Sequence, residues 1–184
     1  MLKFKAWTGI GAALLGMGLT IGMVSACGDG ASAPSNEEVK QVQTELKDEK
    51  AGDLIAGVHS KMNDIVGWNH YEVFKDPQSD AWNQWDRTDS LWVKQQLQQA
   101  EAAVKAHGGP KATDVVKDLE NAIKLVDLAS KKHDYEALLY IHRIVSDLGQ
   151  FAYGHYTDYH SFGSTNLFHG SNVAKIQELI GNAS

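Results

Sequence analysis

Chemistry in this chain falls first to histidine. Seven of its eight His residues lie from His70 onward, and His155, His160 and His169 stand close together with Tyr156 and Asp158 among them. Imidazole and carboxylate together bind zinc, copper or iron, and such a site with one open coordination position could hydrolyse a substrate. The loose spacing lacks the fixed intervals of a ligand motif. It favours a surface loop whose His and Tyr side chains pack on the rest of the domain. His142 lies in a helical pattern, and at about 100° per residue it borders the apolar face built on Ala137, Ile141, Ile144 and Leu148. Asp147 falls on the far side of that wheel, so the two cannot share a ligand site on one helix. A half-buried His142 bonded to a Tyr or Ser is the simpler reading.

The aromatic residues form a second constellation. Trp68, Trp82, Trp85 and Trp92, with Tyr71 and Phe74, could wall one end of a domain and stack on a sugar or another flat ligand. Trp85 and Trp92 are seven apart and on a regular helix share a face. At that spacing, large residues closing a core are the commoner use.

Other signatures are missing. The chain has no GxSxG, HExxH, phosphate-binding Gly-rich loop or dinucleotide fingerprint. No Glu stands three residues before any His, as the di-iron carboxylate bundles require. A c-type haem needs CxxCH, and the chain has one Cys. A b-type haem held by Met62 and His142 would rest on two residues alone, so haem is the least supported cofactor and a transition metal the better one.

The elements that must position these residues are helical. Ser35 to Glu38 reads as a capping box, and Val39, Val42 and Leu46 lead into Leu54, Ile55, Val58, Met62, Ile65 and Val66 at a 3.6-residue period. This predicts a helix to about Gly67, with Gly52 the point where it could break. A second helix runs from Ser79-Asp80 to His107 through Ala81, Trp85, Leu91, Trp92, Leu97, Ala100 and Val104, and His107-Gly108-Gly109-Pro110 stops it. A third covers about 111–132, a fourth starts at an Asp134 cap and runs to Ala152, and a short last helix is capped by Ser171. No segment alternates as a strand does. Short connections between long amphipathic helices predict an all-α, up-down four-helix-bundle-like domain with an irregular His/Tyr-rich loop and a short C-terminal helix.

The N-terminus carries a different signal. Lys3 and Lys5 precede an uncharged stretch from Ala6 to Val24, which ends Val24-Ser25-Ala26-Cys27 ahead of a Gly/Ala/Ser/Pro stretch. This resembles the lipobox of bacterial membrane lipoproteins: an aliphatic residue, a small residue, Gly or Ala, then Cys. The chain's single Cys stands at that position. The resemblance covers about the first 30 residues. It implies that residues 1–26 are a signal peptide, that Cys27 receives a diacylglyceryl group with acyl chains of the palmitate kind, and that residues 27–34 are a flexible tether ahead of one domain over 35–184. Two acyl chains anchor a protein stably, where one does not. An uncleaved signal anchor is the alternative, and either places the domain on the extracytoplasmic side of a bacterial membrane.

Charge agrees with that placement. The 184 residues carry 17 basic against 23 acidic side chains; without Lys3 and Lys5 the mature net charge becomes −8. Such a domain is repelled by anionic headgroups and unsuited to nucleic acid. With Cys27 lipidated, thiol chemistry is excluded. The function expected is a binding or interaction module more than an enzyme. The alternatives are a metal-binding lipoprotein using His155, Asp158, His160 and His169, or a metal-dependent hydrolase at the same residues.

Overall fold

A computed structural model describes residues 32–156 and 160–182. Cys27 with its signal, and Asp158, lie outside the described residues. Among the described residues seven α-helices follow one another: α1 (Asn36–Leu46), α2 (Glu49–Val66), α3 (Ala81–Gln84), α4 (Ser90–His107), α5 (Ala112–Lys132), α6 (Tyr135–Asp147) and α7 (Val173–Gly181). A 3₁₀ turn covers His70–Phe74, and π turns cover Trp85–Asp89 and Leu148–Ala152. No strand occurs among the described residues, and none of their helices is long and apolar enough to cross a membrane.

Helices α2, α4, α5 and α6 form the bundle. Each packs on the next in the chain and α6 closes the ring on α2. Two residues join α5 to α6, a connection so short that these packed neighbours run antiparallel. Ile55, Val58 and Met62 meet Val93, Leu97, Val115, Leu119, Ile141, Ile144 and Leu148 in a core closed to solvent. Burying each such aliphatic side chain contributes about 1.5–3 kcal/mol, which sets the bundle as the rigid frame.

Caps decide where the helices begin. The first break falls at Lys47-Asp48 and not at Gly52, because the Asp48 carboxylate accepts from Ala51 N and starts α2 there. Gly52 lies inside α2, where a Cβ would overlap the His155 ring. Asp134 caps α6 as expected, accepting from Glu136 N and Ala137 N. The last helix starts at Val173 after Asn172, which makes no side-chain cap bond, so Ser171 is not its cap.

The π turn at Trp85–Asp89 overturns one expectation. A π turn adds a residue to the helical repeat, so the position sharing the buried face of Trp85 becomes Val93 instead of Trp92. Val93 is fully buried, whereas Leu91 is 69% and Trp92 39% exposed. Helix α1 packs chiefly on the second π turn, Leu148–Ala152, with Val42 and Leu46 buried and Gln43 Nε2 donating to Phe151 O.

Candidate functional site

The stretch from Ser161 to Leu167 is irregular yet well buried: Ser164, Thr165 and Leu167 are each at most 1% exposed. Buried backbone outside helices must find acceptors for its amides. Two carboxylates from the bundle provide them. Asp147, at the end of α6, accepts from Phe162 N at 2.9 Å and Ser164 N at 2.8 Å, one bond on each oxygen. Asp118, in the middle of α5, accepts from Asn166 N at 2.6 Å, Asn166 Nδ2 at 2.7 Å and Leu167 N at 3.1 Å. Burial pushes the Asp118 carboxyl up to about 7, against the downward pull of those donors and with a further push from Asp114. The segment closes on itself through Gly170 N to Thr165 O and Asn172 N to Gly163 O.

Before this fastened loop, Tyr156 folds back over α6 and donates to Val145 O at 2.9 Å and to Ser146 O at 3.2 Å. Gly149 makes room for it, since a Cβ there would collide with the phenol. The Tyr156 ring stacks on His59, which stacks on His142, at centroid distances of 4.3 and 5.1 Å. Half-buried His142 donates from Nε2 to Asn63 Oδ1 at 2.8 Å, and Asn63 Nδ2 reaches His59 Nε2 at 3.3 Å. His142 therefore takes a polar partner at the core border as expected, but that partner is Asn63. Met62, one residue earlier, is fully buried in the core.

The late histidines go three ways. His155 packs beside Gly52 and lies 3.8 Å from Asp53. His160 meets the edge of Phe162, and its carbonyl accepts from Gln150. His169 adopts φ 52°, a left-handed conformation, and lines the cleft described below. Among the described residues no group of three or more His, Cys, Asp or Glu could hold a metal ion.

The tryptophans do not form one wall. Trp82 and Trp85 are sealed at 1% exposure and offer no face to a ligand. Trp82 stacks on His133 at 4.7 Å and donates to Asp76 O, while Trp85 donates to Ser130 Oγ at 3.0 Å. Trp68 is 90% exposed, with a left-handed φ of 51° just past the end of α2.

What the loop does build is a cleft. Between its inner edge and the start of α1 lies a cavity of about 390 Å³, floored by Asp147, Ser161 and Thr165 and flanked by Ser35, Glu38 and His169. Phe151 and Phe168, edge to face at 5.8 Å, also line it. Ser32 to Pro34, the end of the expected tether, run along one wall. Among the described residues Thr165 Oγ1 is buried with no hydrogen-bond partner, although buried hydroxyls are as a rule satisfied. It sits on a loop fixed by five bonds to carboxylates. No known protein family, curated protein or solved structure matches the chain.

The sequence contained a signal for one of the two carboxylates. Asp118 stands three after Val115 and four before Ala122, inside the apolar stripe of α5, where an acid has no place unless it is paired. Asp147 gave none, because the wheel position it occupies is buried only by the loop.

Proposed function

We propose that this protein is a lipid-anchored extracytoplasmic binding protein whose helical bundle presents the cleft beside the tether. The cleft carries the binding half of this reading. It joins concave shape, a fixed polar floor and an unsatisfied buried hydroxyl, which together mark a small-molecule site better than a protein-docking face does. The lipobox resemblance at Val24 to Cys27 supports the anchor half.

Each half has its own test. Radiolabelled palmitate should enter the wild-type chain in a bacterial host and be lost in Cys27→Ser; equal labelling of the two would remove the anchor. For the cleft, a thermal melt against a panel of amines, polyols and carboxylates should find a compound that raises the Tm. A ligand at a hundredfold excess over its Kd contributes about 2.7 kcal/mol, a shift of several degrees for a domain this size. Ser171→Trp places a bulky side chain at an exposed lining position and should abolish that shift. A panel with no active compound, or a shift that survives Ser171→Trp, would remove the cleft as the binding site.

A further inference from the structure

We infer that the cleft takes a small organic cation, a protonated amine on an apolar body. This rests on the cleft's being the binding site proposed above. Three observations carry it. First, the ionisable groups lining the cleft are the Glu38 and Asp147 carboxylates beside one imidazole, His169, and among the described residues it has no Lys or Arg. An anion entering there would give up its water for repulsion, whereas an ammonium gains a charge-assisted hydrogen bond in a partly desolvated site. Helix α1 begins at the cleft, but its N-terminal half-charge is outweighed by Glu37 and Glu38 in the first turn, each a full charge.

Second, the acceptors suit an ammonium donor. The Asp147 oxygens are already bonded to backbone amides, so Asp147 contributes charge and a fixed position more than a new bond. Half-buried Glu38 remains to accept. Third, Phe151 and Phe168 supply apolar surface for the body of the ligand, and an aromatic face attracts a cation. A metal ion fits this set poorly, since hard cations require six or more oxygens and the walls include two phenyl rings.

Three probes of nearly one shape separate the possibilities: 2-phenylethylamine, 2-phenylethanol and 3-phenylpropionate, titrated calorimetrically into the full chain in neutral detergent micelles. The amine should bind at least fivefold tighter than the alcohol, and the carboxylate should not bind measurably. Glu38→Gln should bring the amine to within twofold of the alcohol. Equal binding of all three probes, or a preference for the carboxylate, would overturn the cation. If none of the three binds while another compound still gives the Tm shift that Ser171→Trp removes, the ligand class is overturned and the cleft stands. If no compound gives that shift either, both fall.

Discussion

The bundle core and the stretch Ser164–Leu167 beside it are both largely buried but are held by different forces. Ile141, Leu119 and their neighbours are fixed by apolar area, which is non-directional and tolerates small shifts. Ser164 to Leu167 are fixed by two carboxylates that must meet particular amides at particular distances. Apolar packing alone fixes a bundle. A loop of small polar residues needs directed acceptors for its buried amides, and here two bundle carboxylates supply them.

Removing an anchor from each region tests this contrast. Asp147→Ala leaves the buried amides of Phe162 and Ser164 without acceptors, and should cost about 3–5 kcal/mol. Hydrogen exchange should then speed up in 160–172 well before it does in α5 or α6. Ile141→Ala should cost about 2–5 kcal/mol and speed exchange across the bundle as a unit. Uniform exchange in both variants would show the loop to be part of the core after all.

Glycines sharpen the comparison at the next magnitude. Gly149→Ala forces Tyr156 off its two carbonyl acceptors and should cost about 1–3 kcal/mol in urea unfolding. Gly57→Ala, a helical position with open space around it, should instead stabilise by up to about 1 kcal/mol.

Acidity separates the regions in turn. The Asp118 carboxyl stands at about 7 in the folded chain against 3.8 as a free side chain. A folded value above the unfolded one makes its contribution greatest below about 4 and loses it as pH rises through 7. The urea-unfolding free energy of the wild type should therefore fall relative to that of Asp118→Asn between pH 5 and pH 8. His133 gives the smallest effect, with the same sign. Its ring lies between Asp86 Oδ2 at 2.9 Å and Pro77 O at 2.7 Å, two acceptors that raise it above the usual imidazole value. Charged His133 donates to both, so His133→Gln should lose more stability at pH 5.5 than at pH 8.5, and a pH-independent loss would show that only the Trp82 stacking counts.

Much of the bundle was legible in the sequence, since apolar period and caps are local properties: α5 over Ala112–Lys132 and the Asp134 cap fall where the pattern puts them. The π turn at Trp85–Asp89 was not, because nothing local distinguishes it from regular helix, and it carried Trp92 out of the face assigned to it. The candidate site was legible only in part. The late loop stood out by composition, but its histidines took separate neighbours. The cleft depends on α1 and the loop meeting across more than a hundred residues, a long-range fact that no spacing encodes.

Helix α1 also lies on the path of any mechanical load applied at the N-terminus. Tension on the segment before Ser35 enters through α1, whose main seat is the turn at Leu148–Ala152, and reaches the four-helix ring only after Lys47-Asp48. Stripping its 11 residues from helix to extended chain lengthens the N-terminal segment by about 20 Å while the ring stays intact. The same event carries off Ser35 and Glu38, one wall of the cleft. A pull on the N-terminal segment would thus open the cleft before it unfolds the four-helix ring, which makes α1 a strain gauge for load applied ahead of the domain.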